Sequence, residues 1–317
     1  MKKYLIIFLL LVQAFIIKAQ NTDFINGFNC KKYFNESYGK FQDNRFDIII
    51  PGYDRPCPLV IFIHGGGFLH GDKNNFYYRK EDIQYFLEHH IAVATLNYRF
   101  YKTDDSLGVR VCIRDIERAV QYIRFNALKY HIDKSRVGCY GTSAGAGSSL
   151  YLAFHDDMAI AGDTTLLGES TRIKCAGAIS TQSTYDVFSW KKIIPWLGLV
   201  MFLKQHTLYN TAANFYGYPT YKSFKPHKEQ IEKSLDILSM IDSNDPPVYL
   251  MNLQKGTFPK NIDIIEHHQN HAKEVSKWLT REGVKNYCYT YKKHQIEKEQ
   301  DIDYPISKFF EEQLKQQ

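Results

Sequence analysis

The sequence predicts an α/β fold, a mostly parallel sheet covered by helices on both faces. Short β-branched apolar runs recur along the chain, and segments with helical apolar spacing alternate with them. Two of the runs end directly in glycine clusters, His64-Gly65-Gly66-Gly67-Phe68 and Gly141-Thr142-Ser143-Ala144-Gly145. After a polar N-terminal stretch, Arg45 to Ile50 reads as the first strand, stopped by Pro51-Gly52. Leu59–Ile63 and Ile91–Leu96 follow as buried strands, the latter ending at Asn97-Tyr98-Arg99. Val109 to Tyr130 carries Val109, Ile113, Ile116, Val120 and Ile123 at helical spacing. Arg136–Tyr140 then reads as a strand and Ala144–Phe154 as a helix. Cys175–Ser180, Pro247–Asn252 and Asn286–Tyr291 complete the strands, with helices at about Ile264–Arg281 and Ile302–Leu314. Strands that are apolar throughout, rather than alternating, fit a sheet buried on both faces.

The N-terminus reads as a signal peptide over residues 1–19. Lys2 and Lys3 precede an apolar run from Tyr4 to Ile17, and Ala19 offers a small residue for cleavage. That run is shorter than the ~20 residues of a membrane span, so the expectation is a secreted or periplasmic protein with no stable membrane span. Residues 20–317 are long enough for one large domain. Loss of Lys2, Lys3 and Lys18 lowers the net charge from +6 to +3, too little to argue for nucleic acid, and no basic stripe interleaved with aromatics is present. The six cysteines show no paired metal-ligand spacing. Four fall in apolar elements and read as buried thiols, leaving Cys30 with Cys57 as the one pair considered for a disulfide.

A serine between glycines at a strand-to-helix junction has a mechanical meaning. The sharp turn needs neighbours without bulk and lifts the Ser143 hydroxyl above the sheet, at a helix N-terminus. The glycines after Leu59–Ile63 let backbone N–H groups approach a reacting carbonyl. A serine hydroxyl needs a base, and that base needs an orienting carboxylate. His294 has the position for the base, on a loop after the last strand, at the same sheet edge as Ser143. Asp263 is the chosen acid, with Glu266 in reserve: both follow Pro247–Asn252 and precede His294, as the order serine, acid, histidine requires. Asp263 also has the position of a helix cap, and Asp245 precedes its strand and so faces the wrong edge. His267-His268 and His271 contain an i, i+4 pair of the kind that can ligate a metal, but no accompanying Glu gives the metalloprotease pattern. No metal or cofactor is expected. His64 reads as a brace for the glycine loop.

Between Ser180 and Pro247 lie too many residues for a single crossover. The apolar patch Ile193–Leu203 falls inside this stretch, and the expectation is a cap insertion at about 186–240 closing over the site. A surface helix packed on the core and loose membrane association through the patch are the competing readings.

At this point the chain resembles the α/β-hydrolase superfamily, on the branch of hormone-sensitive-lipase-like and exported bacterial carboxylesterases. The resemblance covers about Tyr38 to the C-terminus. It rests on the two glycine motifs, Asn97-Tyr98-Arg99, Asp115 in the long helix, and Asp245-Pro246-Pro247-Val248. It implies an α/β-hydrolase fold with an eight-stranded core sheet, and esterase chemistry. It further implies that Gly66, Gly67 and Ala144 supply the oxyanion-hole N–H groups. One departure stands out: the family's acid usually follows the strand in a Gly-x-x-Asp-like loop, whereas here that loop is Leu253-Gln254-Lys255-Gly256-Thr257-Phe258-Pro259. The expected function is therefore an exported serine carboxylic ester hydrolase working through an acyl-enzyme. Its substrates would be small-molecule or polysaccharide esters, such as acetyl or feruloyl esters, or short-chain lipids. A serine peptidase or amidase of the same fold, and a non-catalytic binding protein, are the alternatives.

Overall fold

Strand β3 (Cys57–Ile63) has no exposed residue, and its side chains divide strictly between two layers. Leu59, Ile61 and Ile63 join one apolar cluster, while Val60 and Phe62 join another on the opposite face. The rest of the fold grows around this strand. The structure, a computed structural model, describes residues 22–102, 105, 107–291 and 296–315. The expected signal segment and His294 lie outside the described residues. In chain order the strands are β1 (Cys30–Ser37), β2 (Arg45–Pro51), β3, β4 (Ala92–Leu96), β5 (Ile132–Thr142), β6 (Ala176–Ile179), β7 (Val248–Asn252) and β8 (Asn286–Thr290). The helices are α1 (Lys80–Glu88), α2 (Arg110–Phe125), α3 (Ala144–Phe154), α4 (Leu197–Leu203), α5 (Gln205–Phe215), α6 (Tyr221–Phe224), α7 (Lys228–Leu235), α8 (Ile262–Glu266), α9 (Gln269–Arg281) and α10 (Ile306–Lys315).

The eight strands form one sheet in the order β1-β2-β4-β3-β5-β6-β7-β8. Strand β2 runs antiparallel to both its neighbours, and every pairing from β4 to β8 is parallel. Helices α2, α3 and α9 cover one face, α1 and α10 the other. Because β3, β5 and β7 are parallel, the segments that follow them emerge at one edge of the sheet. Those segments are the glycine loop, Ser143, and the run that ends in α8.

Two local outcomes differ from the sequence reading, and a third decides the cysteine pair that it left open. Strand β1 occupies part of the N-terminal stretch read only as polar. It is a partly exposed edge strand, Cys-Lys-Lys-Tyr-Phe-Asn-Glu-Ser, whose mixed composition carries no alternation to reveal it. The single helix expected over Ile264–Arg281 is two, broken at His267-His268, where His268 accepts from the Asn270 N–H and starts α9 as its N-cap. Cys30 and Cys57 are both free thiols. They stand on β1 and β3 with β2 and β4 between them, farther apart than a disulfide can bridge.

The stretch between β6 and β7 forms short helices held by their own aromatic core. Phe188, Tyr216 and Phe224 stack there, the last two with ring centroids 4.7 Å apart. Thr220 and Ser223 form a reciprocal cap at the start of α6.

Candidate active site

Strand β5 ends in a turn that only small neighbours permit. Ser143 has φ 52° and ψ −117°, in the left-handed half of backbone space that a non-glycine residue rarely adopts. A Cβ at Gly145 would stand 2.0 Å from the Ile63 carbonyl oxygen, and one at Gly141 would stand 2.4 Å from the same atom. Both glycines are therefore required for β5 and α3 to pass beside the end of β3. The Ser143 N–H donates to the Ile179 carbonyl on β6 (2.9 Å), anchoring the turn. Ser143 stands at the N-terminus of α3, where the positive end of the helix favours negative charge.

The glycine loop packs directly on this turn. A Cβ on Gly65 would meet the Thr142 carbonyl oxygen at 2.7 Å and the Ser143 Cβ at 3.2 Å. Gly66 turns the chain at φ +111°, and Gly67 has φ +60°. Gly67, Ser143 and Ala144 border one cavity, with Gly66 adjacent in the loop but not on its wall. Ala144 is the first residue of α3, so its N–H has no acceptor within the helix. Behind the loop His64 is fully buried. Its ring stacks on Tyr98 (centroids 4.4 Å apart), and its Nδ1 lies 2.7 Å from the Gly65 carbonyl oxygen. Tyr98 Oη in turn donates to the His64 carbonyl (2.9 Å). Burial holds the His64 ring below its ordinary pKa, so it stays neutral as a brace. Farther out, Arg99 grips the buried Asp115 of α2 with Nε and Nη2 at 2.8 and 2.7 Å, tying the chain after β4 to the helix layer.

The imidazole beside Ser143 belongs to His267. Its Nε2 lies 2.9 Å from Ser143 Oγ, and its Nδ1 lies 2.9 Å from Asp263 Oδ1. A carboxylate only accepts, so Nδ1 carries the proton donated to Asp263, and Nε2 is free to accept from the serine hydroxyl. The sequence reading assigned this position to His294, outside the described residues; the observed geometry corrects the partner to His267. The physical reason is α8. Asn261 caps this five-residue helix by accepting from the Ile264 N–H (2.9 Å), which puts Asp263 and His267 one turn apart on the same side. Termination at His267 then lets the ring reach inward to Ser143. Gln254, from the loop after β7, donates to the other Asp263 oxygen (2.8 Å).

The three histidines of this stretch have separate tasks, and the i, i+4 pair His267 and His271 does not converge on a shared point. His271 is buried. Its Nδ1 accepts from the Ser183 N–H (3.2 Å) and its Nε2 donates to the Ile265 carbonyl (2.9 Å), while burial pushes its pKa down to about 3. His268 bridges the Thr257 carbonyl (3.1 Å) and the start of α9. Glu266, the reserve acid, does not face the His267 Nδ1. The residue lines the cavity, and burial raises its pKa, with the nearby His267 opposing. An acid and a histidine four residues apart, just after a strand that ends at the serine's edge, were the signal available for His267 in the sequence.

The insertion between β6 and β7 contributes Val187, Trp190, Leu197, Met201 and Phe215 to the lining of the cavity that Ser143 also borders. The space is about 310 Å³ and mostly apolar. The polar tips of two large wall residues are occupied elsewhere. Trp190 Nε1 donates to the Thr184 carbonyl, and Tyr185 Oη donates to the Ala144 carbonyl, each at 2.9 Å.

The fold and this edge of the sheet define an α/β-hydrolase, with a strained serine hydrogen-bonded to a histidine–aspartate pair. Residues 46–261 match the BD-FAE family, and the chain belongs to that family. Juvenile hormone esterase of Tribolium castaneum is 32% identical over 97 residues, covering 29% of this chain and 16% of that protein. Chlorogenic acid esterase of Aspergillus niger is 30% identical over 104 residues, covering 31% of this chain and 20% of that protein. The chain thus spans a fifth or less of the length of these curated relatives. A truncated carbohydrate esterase from gut microbiota superposes with a TM-score of 0.59 at 15% identity, over 90% of this chain and 97% of that one. At that identity the likeness shows the shared fold.

Proposed function

We propose that this protein is a serine carboxylic ester hydrolase that works through an acyl-enzyme. The observation that carries the reading is the unbroken chain from Ser143 Oγ through His267 to Asp263, with 2.9 Å at each link. In this mechanism Ser143 Oγ attacks the ester carbonyl while His267 Nε2 takes its proton. The carbonyl oxygen becomes an oxyanion, held by the N–H groups of Gly67 and Ala144, which border the cavity, with Gly66 the neighbouring donor of the glycine loop. Each such donor lowers the barrier by about 3 kcal/mol on the mutational scale. Collapse of the tetrahedral intermediate breaks the ester C–O bond. The alcohol leaves with the proton from His267, and Ser143 is left acylated. Water, deprotonated by the same ring, then attacks the acyl carbonyl; the bond to Ser143 Oγ breaks, His267 returns the proton to that oxygen, and the carboxylic acid is released. Asp263 holds the ring orientation and stabilises the imidazolium formed in both halves.

The apolar cavity supports a short or ring-bearing acyl or alcohol group as the part bound beside Ser143. Polysaccharide esters and short-chain lipid esters are the two substrate sources proposed. The N-terminal pattern of Lys2, Lys3 and Tyr4–Ile17 supports export with cleavage near Ala19. Fluorophosphonate labelling followed by peptide mapping tests the mechanism, with modification of Ser143 expected in folded protein. A folded, unlabelled protein would overturn it in favour of a binding role. Cleavage of aminoacyl anilides without cleavage of p-nitrophenyl esters would favour a peptidase instead.

A further inference from the structure

Helix α4, Leu-Gly-Leu-Val-Met-Phe-Leu, is apolar all round, so burying one face leaves another apolar face in water. Leu197 and Met201 turn into the cavity. Phe202 and Leu203 are 72% and 71% exposed, Trp196 just before the helix is 64% exposed, and Leu199 is exposed beside them. The surface continues beyond the helix. Trp196 and Phe258 border one surface depression, and exposed Leu69 and Ile262 border the cavity that α4 also lines. Half of the exposed large apolar side chains among the described residues, seven of fourteen, collect in this one region around the cavity mouth. A scatter of single apolar residues needs no explanation, but a contiguous patch does.

Charge identifies the occupant. Residues 187–228, which contain α4, hold six lysines and no aspartate or glutamate. Lys191, Lys192 and Lys204 flank the apolar helix at both ends and are exposed. Aromatic and aliphatic side chains bordered by lysines are the composition of a segment that lies at a lipid surface, the apolar groups entering the acyl region and the ammonium groups meeting anionic headgroups. A sugar polymer offers no apolar phase for Leu199, Phe202 and Leu203 together. No helix among the described residues is long and apolar enough to cross a membrane, so the contact is peripheral.

We propose that the face formed by Trp196, α4 and Phe258, with its lysine border, docks on an anionic lipid surface. Docking does not require turnover, so it is tested on the full chain carrying Ser143→Ala and stands or falls apart from the esterase reading. The probe is sedimentation with phosphatidylcholine vesicles, with and without phosphatidylglycerol. Sedimentation with the anionic vesicles is expected, weakened by salt, with a blue shift of Trp196 emission. Phe202→Ser with Leu203→Ser should abolish the association. Lys191→Glu with Lys192→Glu should weaken it by more than about tenfold, taking about fivefold for each lysine lost near the surface. These side chains are exposed, so the melting temperature of both variants should match the parent. Absence of sedimentation with either vesicle at low salt overturns the proposal. So does a dimer in solution that Phe202→Ser with Leu203→Ser converts to monomer, because the patch then belongs to a second copy.

Discussion

Replacement of Asp263 by Asn tests the hydrogen-bond chain at its most unusual link. In the Ser143–His267–Asp263 arrangement the acid is 62% exposed and the histidine side chain 22% exposed. At the observed 2.9 Å, an imidazolium and a carboxylate attract by about 1.4 kcal/mol at the dielectric of water and about 6 kcal/mol at an effective dielectric near 20. The exposure of Asp263 draws the effective value toward the lower figure, to about 1.5–3 kcal/mol. Asparagine keeps the shape and removes the charge, so kcat/KM on p-nitrophenyl acetate should fall by about 10- to 150-fold. A buried triad aspartate loses about 10⁴ on the same change. A fall of less than threefold would refute the reasoning, above all if Glu266→Gln, measured in parallel, lost far more. A fall of 10⁴ would show that the carboxylate acts from a desolvated position, contrary to the exposure described.

Three other perturbations probe the base, the turn and the histidine buried behind the site. His267→Ala should lower kcat by about 10⁴ or more while His294→Ala stays within about threefold, and the reverse order in steady-state assays restores His294 as the base. Gly145→Ala forces a methyl against the Ile63 and His64 carbonyls and should cost about 3 kcal/mol of folding stability by urea unfolding; wild-type stability would mean that β3 and α3 can part. His271 has a folded pKa of about 3, below its unfolded value of about 6.5, so the unfolded chain binds the extra proton between those two pH values. Its contribution is complete above the unfolded pKa and is lost as pH falls below it, at up to about 1.4 kcal/mol per pH unit. Urea unfolding between pH 7.5 and 5 should therefore show a shallower slope for His271→Gln than for wild type, and parallel slopes would exclude this origin.

Much of the fold was legible because it depends on local composition. Runs such as Leu59–Ile63 are apolar at every position, and their shortness and β-branched content mark a strand covered on both faces. Ser143 was legible for a related reason. Its turn brings α3 within atomic contact of the end of β3, and the glycines this requires appear in the sequence as a motif. Strand β1 was not legible, since an edge strand takes its pairing from β2 and needs little apolar character of its own.

The partner of Ser143 was a tertiary decision. Twelve histidines compete for it in the sequence, and hydrophobic periodicity runs through His267 as though Ile264–Arg281 were one helix. Whether a helix continues or breaks depends on competing caps, and here His268 binds the Asn270 N–H and the Thr257 carbonyl and ends the run one residue after His267. The break turns one ring toward Ser143 and another, His271, into the core beside Ser183. Residue types and their order along the chain thus determined the sheet, the turn that carries Ser143 and an acid after β7. The imidazole that meets the serine, and the apolar face that surrounds the cavity mouth, were decided by packing between segments far apart in the chain, because a bond of 2.9 Å depends on where whole elements come to rest.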